Sequence, residues 1–147
     1  MSLEENKRIA RDFFVLATEG DIEGAMALMA DDGICWIPTD RLGGLTVNKQ
    51  MLRAMEYRVH GIFDRIPRIE VGRLTAEDDR VCVEMALRGG TTKGGNTYDN
   101  DYHMLVRIGD GQIVEVFEYL NPALVRSIGA ELQAAANREK AAGGESA

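Results

Sequence analysis

The dominant apolar periodicity of this chain changes at Pro67, and that change bounds what it can fold into. Before Pro67 hydrophobic residues recur mainly at helical spacing, and after it they alternate. Ser2 and Glu5 form a capping-box pattern, and Ile9, Phe13 and Leu16 with Ala10, Phe14 and Ala17 make a broad stripe, so a first helix is predicted to end near Gly20. Asp21 can cap a second, short helix carrying Ala25, Met26, Leu28 and Met29, stopped by Asp31-Asp32-Gly33. Ile34-Cys35-Trp36-Ile37 reads as a short strand closed by Pro38. After a loop through Gly43-Gly44 a third helix is predicted from near Asn48, with Leu52, Met55, Val59 and Ile62 on one stripe. Beyond Pro67 four strands are predicted, over residues 68–75, 81–88, 97–108 and 112–120, separated by turn-forming residues that include the glycine-rich segment 89–96. Consecutive strands with short connections pair as an antiparallel meander. The predicted fold class is therefore α+β, a curved antiparallel sheet packed against three N-terminal helices with a cone-shaped cavity between them.

With 147 residues the chain reads as one domain, large enough to bury about 68–70% of its unfolded surface. Residues 1–136 are assigned to that domain, and the small, polar, glycine-containing residues 137–147 to a frayed tail. A net charge of -7 disfavours nucleic acid and anionic membranes, which need a basic face. Cys35 and Cys82 are not in a paired spacing, the N-terminal residues lack the apolar run of a signal peptide, and no apolar stretch is long enough to span a bilayer. A reducing cytoplasm is the expected location.

Chemistry is concentrated on the last two strands. Along the final strand Val114, Val116, Glu118 and Leu120 are predicted to share one face, which places a lone carboxylate among apolar residues. On the strand before it Tyr98, Asn100, Tyr102, Met104 and Val106 share a face, while Asp99, Asp101 and His103 take the other. The tight Gly109-Asp110-Gly111 turn aligns the two strands, so Glu118 falls on the Tyr98 face. In a dry cavity a glutamate's pKa rises toward the working range of a general acid or base, and a phenol and a carboxamide can hold a developing oxyanion. At a wet rim the same glutamate would only form a salt bridge, and spacing alone leaves both readings open. Trp36 and Asp40 flank the end of the first strand near the expected cavity mouth, and Tyr57 and His60 lie on the third helix. Neither His60 nor His103 has a second ligand at metal spacing, so no metal site is expected, nor any other cofactor. The 89–96 segment opens no helix and is not a phosphate cradle, and no nucleophile elbow is present. Ile113, Phe117 and Tyr119 make the opposite face of the last strand apolar as well. That face needs cover, and a second copy of the chain is its expected partner.

Taken together, the Gly20-Asp21 break, Met29-Ala30-Asp31-Asp32, Tyr98-Asp99-Asn100-Asp101-Tyr102, the Asp110-Gly111-Gln112-Ile113 turn and Glu118-Tyr119-Leu120-Asn121 resemble the SnoaL-like and ketosteroid-isomerase-like branch of the nuclear-transport-factor-2-like superfamily, up to about Ala130. The resemblance implies a cystatin-like α+β barrel, usually dimeric. It does not fix a reaction, because the fold hosts isomerases, cyclases, hydrolases, dehydratases and binding modules. At the positions where steroid isomerases carry catalytic residues this chain has Ile37, Met104 and Phe13 or Phe14. Limonene-epoxide-hydrolase-like proteins share the acid of Glu118, but Val83 to Leu87 stand where their Arg and Asp fall. Local motifs are most similar to phenazine-biosynthesis A/B proteins: Trp36 followed by Asp40, Tyr98 before an acid and Asn100, and Glu118 leading through Asn121-Pro122 into a short helix with Ser127-Ile128-Gly129. That likeness implies Glu118 as general acid-base with Tyr98 and Asp40 nearby, while His60 is out of register with that group's histidine. The expectation is a cofactor-independent isomerase, cyclase or dehydratase acting on a small apolar, aromatic or polyketide-like molecule. Glu118, Tyr98 and Asp40 would be catalytic, and Asn100, Trp36, Tyr102, Tyr57 and His60 would bind substrate. The alternatives are a binding module without chemistry, and an epoxide hydrolase in which Asp40 and Glu118 converge on one water.

Overall fold

Ser2 caps the first helix as its spacing predicts: its side chain accepts from the Glu5 backbone N–H at 3.1 Å while the Glu5 carboxylate reaches back to the Ser2 N–H at 3.1 Å. In the computed structural model, which describes residues 2–145, this helix is α1 (Leu3–Glu19), ended by Gly20 in the left-handed region at φ 98°. Next come α2 (Ile22–Ala27), β1 (Met29–Ile37), β2 (Leu45–Asn48), α3 (Lys49–Gly61), β3 (Phe63–Arg65), β4 (Arg68–Glu77), β5 (Arg80–Thr92), β6 (Thr97–Gly109), β7 (Gln112–Leu120) and α4 (Pro122–Glu145). The seven strands form one curled sheet in the order β2-β1-β7-β6-β5-β3, with β4 also pairing with β5.

The α+β cone stands, with four corrections. The sheet is mixed, because β1 pairs parallel with β7 while the other pairs are antiparallel. The meander leaves one edge of β7 unpaired, and β1, distant in sequence, satisfies its backbone groups. The strand predicted at Ile34 begins at Met29, residues 45–48 and 63–65 add two short strands, and β5 runs into the glycine-rich segment as far as Thr92. A fourth helix, α4, occupies residues where a short helix and a frayed tail are predicted. Residues 134–136 and 141–142 are alanine, Ile128 and Ala135 are buried, and Arg58 pairs with Glu139 at 2.6 Å, so propensity and packing together carry the helix on. Of the predicted tail, residues 146 and 147 lie outside the described residues. Finally, Arg107 pairs with Glu115 and Ile108 with Ile113, which makes Val114 the extra residue of a bulge. The bulge re-phases the strand, so Ile113, expected on the outer face, is fully buried in the core.

Two buried clusters result. Phe13, Met26, Val83, Met104 and Val116 belong to a larger one between the first helices and the concave face of the sheet. Ile62, Phe63, Tyr98, Ile128 and Ala135 form a smaller one beneath α4.

Candidate functional site

A cavity of about 290 Å³ opens between α1, α3, α4 and the concave face of the sheet, lined by residues of both clusters. Glu118 reaches it from β7, where Met104 is its cross-strand neighbour and Val116 and Leu120 also line the cavity. Strand alternation therefore places the carboxylate on the face the sequence predicts. Its one hydrogen bond among the described residues is weak: the Cys35 thiol donates to Oε1 across 3.9 Å. Some of its surface stays accessible, but that surface faces the cavity, and the protein atoms packed around it strip away water. Burial first, and the nearby Glu56 carboxylate second, push Glu118 up to about 8, against a small lowering by the Cys35 contact.

Glu56 is the residue that sequence reasoning missed. It sits on α3 within the apolar stripe, four residues after Leu52 and three before Val59, and it lines the same cavity. Its position inside the stripe was the available signal. Burial alone pushes it up to about 7. Two carboxyl groups, one on a helix and one on a strand, thus face a shared apolar space.

The aromatic side of the cavity is ordered by Asn100. This side chain is fully buried and bonded at both ends. Its amide nitrogen donates to the Tyr98 hydroxyl at 3.0 Å and to the Asn121 carbonyl at 3.1 Å, and its oxygen accepts from the Asp101 and Asn121 backbone N–H groups at 2.9 and 3.3 Å. With its bonding capacity filled, Asn100 lies behind the wall and positions Tyr98 rather than touching a ligand. The Tyr98 and Tyr102 hydroxyls are 2.5 Å apart, and both rings line the cavity. Burial raises the pKa of both, so both are neutral phenols, and burial beside Glu118 likewise drives the Cys35 thiol up and keeps it un-ionised.

His60 also lines the cavity, its ring laid against Gly20; a Cβ there would fall 2.6 Å from His60 Nε2. That Nε2 is buried without a hydrogen-bond partner among the described residues.

Three further predicted site residues lie off the cavity wall. Trp36 points outward, since Cys35 and Ile37 take the inner face; its indole N–H donates to the Gly43 carbonyl at 2.9 Å, and its ring packs 5.4 Å from Tyr119 and 6.4 Å from Phe117. Asp40 is exposed in the loop between β1 and β2, so the Asp40–Glu118 pair of the epoxide-hydrolase alternative is not assembled. Tyr57, one residue off the stripe, is 50% exposed and donates to Glu23 Oε1 at 2.7 Å. Among the described residues no three His, Cys, Asp or Glu side chains are grouped to hold a metal.

A cone of curled sheet closed by helices around an apolar cavity defines a fold class, and sequence comparison supplies the family. The SnoaL-like domain profile matches residues 10–116, and the chain belongs to that family, within the nuclear-transport-factor-2-like superfamily. No curated protein sequence matches it. Among solved structures it is similar to PrhC from Penicillium brasilianum, at 18% identity over 90% of this chain and 93% of that one, with a TM-score of 0.75. A proposed polyketide cyclase from Xanthomonas campestris is 19% identical over 85% and 98% of the two chains, with a TM-score of 0.70. A protein of ketosteroid isomerase-like fold from Catenulispora acidiphila, in complex with trimethylamine, is 19% identical over 76% and 83%, with a TM-score of 0.62. At these identities the neighbours establish the fold.

Proposed function

We propose that the protein is a cofactor-independent enzyme of the isomerase, cyclase or dehydratase type, moving a proton on a small, largely apolar molecule held in this cavity. The observation that carries the reading is Glu118: a carboxyl with no cationic partner, facing an apolar cavity, with its proton affinity lifted to about 8. In its ionised form it takes a proton from carbon, and in its protonated form it returns one. Asn100 donates to the Tyr98 oxygen and the two phenols share a hydrogen bond; with Tyr98 as its donor, the Tyr102 proton is left for a substrate oxygen that gains charge. The family and its polyketide-cyclase-like neighbours support chemistry of this class, and the trimethylamine complex shows a small molecule bound to a neighbour of the same fold. The finer likeness to phenazine-biosynthesis proteins rests on local motifs alone.

The direct test is exchange of the α-protons of a small cyclic ketone such as 2-tetralone in D₂O, followed by NMR. Exchange above the buffer rate that falls about 10²–10⁴-fold in Glu118→Gln supports the reading. Equal rates in wild type and variant would leave a binding module without chemistry. The two cysteines are free, and a reducing cytoplasm is the compartment we assign. We assign the outer sheet face, where Trp36, Phe117 and the 49%-exposed Tyr119 cluster, to pairing with a second copy of the chain.

A further inference from the structure

We infer that the Glu118 cavity selects a molecule carrying a basic nitrogen on an apolar or aromatic body, because its walls offer two carboxyl groups and several aromatic faces without a lysine or arginine among them. This rests on reading the cavity as the functional site, and it narrows the occupant.

The acids here differ from the acids elsewhere. Glu23 is paired with Arg53, Glu84 with Arg73 and Glu139 with Arg58, all on the surface. Glu56 makes no hydrogen bond or ion pair among the described residues, and Glu118 has only the thiol of Cys35. A buried carboxyl without a cation holds its proton more tightly, and an entering cation can replace that proton as its partner. The polar and titratable groups that share the cavity with Glu118 are Cys35 from β1, Tyr98 and Tyr102 from β6, Thr18 from α1, and Glu56 and His60 from α3, while α4 contributes the apolar Val125, Ile128 and Leu132. Phe13, Phe14 and Phe63 add ring surface around the same space, which suits an ammonium through cation–π attraction. An anion would meet two carboxyls. A neutral molecule of the same shape would leave both without an ionic partner.

The proton balance is simple. Near neutral pH Glu118, raised to about 8, holds its proton in the empty cavity, while Glu56, raised to about 7, is about half ionised. An alkylammonium, whose pKa is about 10 like that of lysine, keeps its own proton on entry. The carboxyl it meets gives its proton to solvent, and an ion pair remains. With one carboxyl holding the nitrogen, the other is free to act on carbon. The volume, about 290 Å³, lies at the small end for ligand sites, which run from about 300 to 1,000 Å³.

Three benzyl compounds of matched shape test this: N,N-dimethylbenzylamine, isobutylbenzene and phenylacetate. Each is titrated by calorimetry at pH 6.5, 7.5 and 8.5, in two buffers of different ionisation enthalpy. The expected result is that the amine binds at least about tenfold tighter than isobutylbenzene, phenylacetate does not bind, and proton release per bound amine falls toward zero as the pH rises. In the Glu56→Gln/Glu118→Gln double variant the order reverses, and retained isobutylbenzene binding reports an intact cavity. Isobutylbenzene binding as tightly as the amine in the wild type, or phenylacetate binding at all, overturns the inference. Amine selection without ketone exchange sinks the proton-transfer reading and leaves this one standing, whereas ketone exchange without amine selection does the reverse.

Discussion

Below about pH 4.5 Glu118 is protonated in both the folded and the unfolded chain, and its burial carries no charge penalty. As the pH climbs toward about 8 the unfolded chain ionises while the folded one still holds its proton. Stability therefore falls through that window and levels off above it. Glu56 adds a parallel loss between about 4.5 and about 7. Urea denaturation at about pH 5 and pH 8.5 should show the wild type losing more stability than Glu118→Gln, by on the order of 2 kcal/mol. Matching losses would mean that the carboxyl is solvated. Asn100→Ala should cost on the order of 3 kcal/mol in the same assay, since it strands the Asn121 and Asp101 backbone groups and unseats Tyr98. Glu118 and Tyr98 were legible in the sequence because alternation along paired strands is a local rule. Glu56 was less so, because a single polar residue within a helical stripe is ordinary, and only the cavity shows that this one faces an apolar space. Trp36 and Tyr57 were misread for a related reason: each is one residue away from a position that does face inward.

One side of the site is closed by α4, which contributes Val125, Ile128 and Leu132 to the cavity wall. It is tied down by polar contacts as well as by packing. The Glu131 carboxylate accepts from Thr92 Oγ1 at 2.5 Å, Asn96 Nδ2 at 2.7 Å and the Gly94 N–H at 3.2 Å, which hold its pKa below the usual range. Glu131→Ala should raise amide hydrogen exchange in α4 several-fold while leaving β5–β7 protected. Unchanged protection in α4 would show that apolar packing alone seats it. These ties join residues more than thirty positions apart, so no local pattern announces them. The Val114 bulge is hidden in the same way. The strand reads as continuous alternation, and the slip arises only where β7 must match β6 on one side and β1 on the other.

For the whole molecule, the concave face of the sheet is covered by helices and the convex face carries the Trp36, Phe117 and Tyr119 cluster at the surface. Sedimentation equilibrium should find a dimer, and Tyr119→Glu should shift it to monomer while preserving the circular dichroism of the fold. A monomeric wild type would remove that assignment. The described helices include none long and apolar enough to cross a membrane. By itself the sequence determined the α+β class, the antiparallel run from β4 to β7 and the inward face bearing Glu118, because caps, periodicity and short turns are all decided by neighbours in the chain. Tertiary structure alone decided the parallel β1–β7 pairing, the seating of α4 and the meeting of Glu56 with Glu118. Each of those depends on which distant segments share one cavity, and a local pattern carries no information about that.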